Sequence, residues 1–372
     1  MEITTHLLES ALKNKVGIDG SSVYGMTDVN NSDLVLAPDF SSFRHFPMHD
    51  SRFGNVALFM CNVLNPDGTP ASGCTRSKLE NELKTLAKEG FSKMNLGFEP
   101  EFFILKNEPT NDTDLSACLD NGSYADIGEL DTTASIRREI MFELERVGII
   151  PLVSHHERAP SSCEIVYKYS DALRTCDNLI LGKFITEEVC RKHGLFATFE
   201  PKPFKNVNGS GLHTNISFEV DGNNVFATDN ELSETANHFM AGVLNHASAL
   251  CYLTTGPNGY KRLVAGYEAP TSICWGYHNR SAMIRVPNAS KDARRIEIRN
   301  PDPTTNPYLC IAGILRAGMD GIKYKTKLPA PMDFNVDNTN TIVSLPRSRD
   351  EALKEFKKSS LLSNLITSHY LT

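Results

Sequence analysis

Apolar positions along this chain follow two periods, and the place where one gives way to the other divides it. From residue 17 to about 64 short apolar runs stand between turn signals. Leu34-Val35-Leu36-Ala37 is closed by Pro38-Asp39, and the run Val56 to Leu64 ends at Asn65-Pro66-Asp67-Gly68. Such punctuation predicts short strands. Ahead of them, Ile3, Leu7, Leu8, Ala11 and Leu12 have helical spacing and predict an amphipathic surface helix. At residue 74 the pattern changes. Ser77-Lys78-Leu79-Glu80 has the spacing of a capping box, with Leu79, Leu83, Leu86 and Ala87 on one helical face and Gly90 as the stop. The expected domains are therefore 1–74 and 75–372.

Within the larger domain strands and helices alternate. Strands are predicted over 98–105, 149–154, 162–167, 195–200, 212–219, 280–286 and 294–299, and helices over 133–147, 170–192, 231–251 and 307–326. Several of these strands carry Glu, His and Arg instead of an unbroken apolar run. That pattern predicts an α+β fold: a curved, mostly antiparallel sheet with one functional face, backed by helices.

Composition narrows the class. With 372 residues, 40% of them hydrophobic and 22% charged, the chain can build a sizeable core in two unequal domains. The Val56–Cys61 run is too short to span a bilayer, and the first residues lack the basic and apolar blocks of a signal peptide. Nine cysteines without a Cys-x-x-Cys pair fit a reducing, cytoplasmic setting. A net charge of −7 offers no footprint for nucleic acid.

The chemistry lies in repeated alternation. In Gly97-Phe98-Glu99-Pro100-Glu101-Phe102 two glutamates share one strand face while Phe98 and Phe102 share the other. One isolated Glu-x-Glu reads as a pair of surface acids. Here, however, the arrangement recurs: His155-His156-Glu157 is followed seven residues on by Glu164, and Arg295-Ile296-Glu297-Ile298-Arg299 alternates again. Five carboxylates and several arginines on one sheet face need a compensating cation, and oxygen-rich ligation favours Mg²⁺ or Mn²⁺ over zinc. Asn208-Gly209-Ser210-Gly211-Leu212-His213 enters a strand through glycines that let backbone amides approach a ligand, and it is not a Walker loop. Arg280, Arg285 and Arg299 among apolar neighbours offer guanidinium forks for phosphate and carboxylate oxygens.

In order, the chain reads DGSS at 19–22, GFEPEFFIL at 97–105, HHE at 155–157 with Glu164, NGSGLH at 208–213, KRLVAGYEAP at 261–270, NRSAMIRVP at 279–287, RRIEIRNPDPTTNPYL at 294–309 and SLPRSRDEAL at 344–353. This ordered set resembles the glutamine synthetase family, type I (bacterial type), over nearly the whole chain. The resemblance implies a small N-terminal β-grasp domain, here shortened, and a glutamine synthetase/guanido kinase-like catalytic domain. It also implies ATP-dependent ligation of ammonia to glutamate. Carried over, Glu101, Glu157 and Glu164 would bind one metal, and Glu99, His213 and Glu297 a second. Glutamate would be held by Arg262, Arg299 and the backbone at Asn208 and Gly209. Arg280 and Arg285 would clamp the transferring phosphoryl group, and Ser217 would touch ATP. The ammonium pocket would use Asp19 and Ser22 of a neighbouring subunit with Tyr124, Glu157 and Glu268. Asp19 is the expected base and Glu268 the residue of a closing loop. The expected assembly is a homo-oligomeric ring of six or twelve subunits.

Three departures accompany the resemblance. Ser161-Ser162-Cys163 stands where the family usually has Gly-Gln-His, and Asn215 stands where it has a second histidine. Both ends are short, so contacts between rings are in question. No tyrosine for adenylylation lies in Met332–Asp337. Three readings follow: a glutamine-forming ligase, a relative that joins glutamate to an organic amine, and a catalytically silent homologue serving in assembly.

Overall fold

The computed structural model describes residues 1–46, 56–229, 231–339 and 341–367. An N-terminal helix, α1 (Thr5–Asn14), leads into β1 (Val16–Asp19), β2 (Asp33–Pro38), β3 (Arg44–Phe46), β4 (Val56–Leu58) and β5 (Cys61–Leu64). These form a three-stranded sheet in the order β1-β2-β5 and a separate β3-β4 ladder. The next helix, α2 (Thr75–Lys88), starts two residues before the expected capping box. Its N-cap is Cys74, which makes no side-chain cap. Ser77 instead donates to Cys74 Sγ, and Glu80 accepts from Asn62 and Arg76.

Arg76 ties the two parts of the chain together. Its guanidinium reaches Asp39 at 2.6 Å and Asp177 at 2.9 Å, with only 4% of its side chain exposed. Tyr308 donates to the same Asp177.

The large sheet is built on β6 (Lys93–Leu105). Then come α3 (Ala134–Arg146), β7 (Pro151–His156), β8 (Ser162–Tyr167), β9 (Ser170–Asp171), α4 (Ala172–Lys192), β10 (Phe196–Thr198), β11 (Leu212–Val220), β12 (Asn223–Asn224), α5 (Glu234–Asn245) and α6 (Ala247–Thr254). They are followed by β13 (Trp275–Tyr277), β14 (Ile284–Val286), β15 (Ile296–Ile298), α7 (Pro307–Lys323) and α8 (Arg349–Lys358). The sheet order is β13-β14-β15-β11-β6-β8-β7, with β9 and β10 also paired to β6 and β12 to β11. Among these pairs only β13 and β14 run parallel. Along its first half β6 pairs with β11, and from Glu101 onward with β8. Pro100, which has no N–H to give a ladder, sits at that change of partner.

The apolar face of the sheet and helices α2, α5, α6 and α7 enclose one core that contains Phe98, Ile216, Phe239, Leu250 and Ile314. A second core, under α3 and α4, holds Phe102, Ile104, Ile140, Ile165 and Ile185. The nine cysteines are free thiols, all buried but Cys61. Among the described residues no helix is long and apolar enough to cross a membrane.

Four sequence expectations are corrected here. The helix expected over 231–251 is two helices, because His246 leaves helical geometry and bounds both α5 and α6. The strand expected over 280–286 is only β14, so Arg280 lies in the turn before it. Short β13 and helix α8 were not foreseen: β13 is only three residues long, and α8, although Ser348 caps it at the Glu351 amide, buries only Ala352 and Phe356 and so shows a short apolar period. The strand expected from 98 starts five residues earlier, because the polar Asn95 pairs across to Ser217.

Candidate active site

Register brings the charged residues together. His213 stands opposite Glu99, Glu101 opposite Glu164, His155 opposite Glu164, and Arg285 opposite Glu297. Alternation turns all of these side chains to the face away from the core. All of them except Glu297 line a cavity of about 480 Å³ together with Tyr124, Glu157, Asn208, Gly209, Arg262, Glu268, Arg280 and Arg299. Glu297 lies behind the lining, bonded by both Arg285 and Arg299.

His213 is the hub of one half. Its Nδ1 is 3.4 Å from Glu99 and 3.8 Å from Glu297, and its Nε2 is 3.7 Å from Glu101. Glu101 also accepts from the Gly211 amide at 2.9 Å, so the glycine-rich entry to β11 positions a carboxylate. In the other half His155 lies 3.2 Å from both Glu157 and Glu164. Of three sets among the described residues whose ligand atoms lie within 4.8 Å of one another, two are on this face, Glu99 with Glu164 and His213, and His155 with Glu157 and Glu164; the third is Asp120, Asp131 and His156. Both sets on this face contain Glu164, and the second brings in His155, unassigned in the sequence reading. Its signal was the alternation of β7, which gives His155 the face of its ladder partner Glu164.

The charges leave a deficit of cation. Burial, reinforced by Glu101 and Glu164, pushes the Glu157 carboxyl up to about 9. Burial also raises Glu164, despite its bond to His155. Burial works the same way on Glu297, yet His213, Arg299 and Arg285 outweigh it and bring that carboxyl to about 2. Buried carboxylates crowded until one prefers its proton are a donor set that a hard divalent cation would complete. The carboxylates of Glu99, Glu101, Glu157, Glu164 and Glu297 and the imidazole nitrogen of His213 are the donors that would hold such an ion.

The end of the cavity around Arg262 is built from two loops. Arg262 is buried, its guanidinium donating to the carbonyls of Arg299, Asn300 and Pro301. Asn208 donates to the carbonyl of Tyr267 at 3.2 Å, and Lys202 packs over the Tyr267 ring at 3.8 Å. Burial and the nearby Arg262 lower the Lys202 pKa to about 8. Glu268 has a left-handed backbone, φ 58°, and its carbonyl accepts from Arg299 at 3.2 Å.

Three expected residues fall elsewhere. Ser217 lines a second cavity of about 500 Å³ with Asn95, Tyr169, Asn215, Asn224 and Arg295, separated from the first by Glu99, which lines both. Asp19 ends β1 and Ser22 lies in the 3-10 turn that follows it, and neither lines the cavity of its own chain. There the Asp19 carboxylate accepts from the Ser21 and Ser22 hydroxyls at 2.6 Å, which holds its pKa down.

The departures at Ser161 and Asn215 have structural compensation. Ser161 takes the left-handed conformation, φ 59°, that suits glycine. Its hydroxyl accepts from the Leu119 amide at 2.6 Å, and its amide donates to Asp120 at 2.8 Å. Asn215 donates to Glu99 at 3.0 Å and accepts from Arg295 at 2.8 Å.

A sheet face that gathers carboxylates, imidazoles and arginines between the Arg262 and Glu268 loops and a second cavity is the site of an enzyme, and comparison with known proteins states which kind. Residues 72–372 match the profile described as glutamine synthetase, catalytic domain, and residues 1–66 that of the glutamine synthetase beta-Grasp domain. Glutamine synthetase of Staphylococcus aureus strain MW2 is 41% identical over 99% of this chain and 85% of its own. That of Thermus thermophilus is 39% identical over 100% and 86%. Among solved structures, GmaS in complex with ADP superposes with a TM-score of 0.89 at 28% identity, covering 99% of this chain and 86% of that one. The Plasmodium falciparum glutamine synthetase superposes at 0.85 and 27%, covering 100% and 86%. The protein is a ligase that forms carbon–nitrogen bonds. It belongs to the glutamine synthetase family, whose members use ATP and divalent metals.

Proposed function

We propose that this chain joins ammonia to L-glutamate through γ-glutamyl phosphate, forming L-glutamine, ADP and phosphate. One observation carries the reading: a single cavity joins an arginine and amide-lined amino-acid end to a carboxylate-rich end closed by Tyr124, Glu157 and Glu268. Arg262, Arg299, Asn208 and Gly209 bind glutamate. Ser217 contacts ATP in the adjoining cavity. Arg280 and Arg285 orient the γ-phosphoryl group and balance its charge as the glutamate carboxylate attacks in line, ADP leaving with the bonding electrons. Bound Mg²⁺ or Mn²⁺ would neutralise phosphate charge at Glu99, Glu101, Glu157, Glu164, His213 and Glu297. The acyl phosphate is open to hydrolysis, and the loop of Glu268 shields it from water.

Ammonium binds as a cation among Tyr124, Glu157 and Glu268, with Asp19 and Ser22 supplied by a neighbouring subunit of a six- or twelve-membered ring. Asp19 takes one proton, and the neutral ammonia attacks the acyl carbon and expels phosphate. The low pKa of Asp19 in its own chain favours the charged form that attracts the cation; its bonds to Ser21 and Ser22 must loosen for it to act as a base.

The second reading, ligation of an organic amine, is favoured by the likeness to GmaS. The discriminating experiment measures glutamate-dependent ADP release with ammonium, methylamine, ethylamine and ethanolamine. The highest kcat/KM with ammonium supports glutamine formation. A higher value with an organic amine replaces that reading.

A further inference from the structure

Two walls meet at the amine end of the cavity. One is a braced unit: the amide after Tyr124, that of Ala125, donates to the His156 carbonyl at 3.0 Å, and the Tyr124 ring packs on His155. His156 bonds Asp120 at 3.0 Å, and Asp120 accepts from the Ser161 amide at 2.8 Å. Glu157 and Arg158 leave this unit together. The other wall is the Glu268 loop, whose backbone is held at Tyr267 by Asn208 and at Glu268 by Arg299. With its backbone pinned, the Glu268 side chain is what remains free to answer a cation. Across the mouth, Arg158 Nη1 meets Glu268 Oε1 at 3.0 Å. The two side chains are 53% and 42% exposed, and both line the cavity.

We infer that Arg158 is a specificity residue for the nucleophile, an internal cation that competes with a protonated amine for Glu268. This rests on the reading that the amine binds beside Glu157 and Glu268. A protonated amine gains from Glu268 only by displacing the guanidinium, and it also meets that guanidinium's repulsion. A neutral nucleophile faces neither penalty. Because the pair is exposed and thus weak, a cationic amine can still displace it, and the competition amounts to roughly two- to fivefold in apparent affinity. Arg158 therefore tilts the site toward nucleophiles that arrive neutral and need little of Glu268, or that arrive at high concentration. The same pairing would also hold the Glu268 loop, so the two roles must be told apart by their selectivity.

The test compares ammonium, a cation at neutral pH, with hydroxylamine, which is largely neutral there, in wild type, Arg158→Gln and Arg158→Lys. The expected result is a two- to fivefold lower KM for ammonium in Arg158→Gln, unchanged KM for hydroxylamine and glutamate, and wild-type behaviour restored in Arg158→Lys. Added sodium chloride should shrink the gap between wild type and Arg158→Gln, since salt screens exposed pairs. Parallel changes in both nucleophiles, or a rise in glutamate KM, would make Arg158 a loop brace and overturn the inference. An unchanged ammonium KM would overturn it as well. Wild-type enzyme that ignores every amine while releasing ADP with glutamate would instead overturn the amine-site reading beneath it.

Discussion

Glu101 and Glu164 stand directly opposite each other on the antiparallel strands β6 and β8. Like charges directly opposite each other destabilise a sheet, so without a cation the pairing adds nothing to stability. Replacing Glu101 with Gln should abolish ligase activity, lowering it by at least ~10²-fold, while leaving the melting temperature of chelator-treated protein unchanged or slightly higher. Calorimetry beside an activity assay checks this. A marked loss of melting temperature without metal would contradict a ligand role.

The raised Glu157 carboxyl sets a pH dependence. Its pKa of about 9 in the fold lies above its ordinary value near 4.5, so between those limits the folded chain binds more protons than the unfolded one. Metal-free stability should therefore fall as pH rises from about 5 toward 9. Thermal melts in chelator should show that slope, and Glu157→Gln should flatten it. A divalent ion should reverse it, because binding requires the deprotonated carboxylates.

Arg76 offers a stability test away from the chemistry. Removing one partner of a buried ion pair strands the others, at about 3–5 kcal/mol. Arg76→Ala leaves Asp177 buried beside Tyr308 and leaves Asp39 unmatched. Urea unfolding should show a loss of unfolding free energy of that order, seen as a lower midpoint at unchanged slope. A midpoint within error of wild type would mean that the N-terminal sheet and the catalytic domain are coupled by other contacts.

Asp19 tests the shared site. Asp19→Ala should lower ammonium-dependent turnover by ~10²–10⁴-fold, the range of a positioned base, and should spare hydroxylamine in part. Equal losses for both nucleophiles would remove its role as a base. Mixing Asp19→Ala with Glu101→Gln subunits after dissociation should restore activity, since some sites would then receive an intact Asp19 from one subunit and an intact Glu101 from the next. No recovery on mixing, in subunits shown to have exchanged, would mean that Asp19 and Glu101 serve the same chain.

Much of the site was legible because it is written in local periods. Glu99 and Glu101, two residues apart, must share a face of any strand that contains them, and Phe98 and Phe102 must then turn to the core. Arg280 was misplaced because its flanks, Asn279 and Ser281, make a turn: the Asn279 side chain accepts from the Ser281 amide at 3.0 Å. Such a side-chain bond competes with a ladder and ends the strand that the pattern alone would extend.

What the sequence by itself determined is the ordered motif set, the alternating faces and the α+β order of elements, since each depends on neighbours a few residues apart. Only the tertiary structure decided which carboxylates meet. The register of β8 on β6 sets Glu164 against Glu101, and the β7–β8 ladder gives His155 to two of them. Loop paths bring Arg158 to Glu268, 110 positions further on. Strand register and loop closure follow from packing the whole core, which no local pattern records.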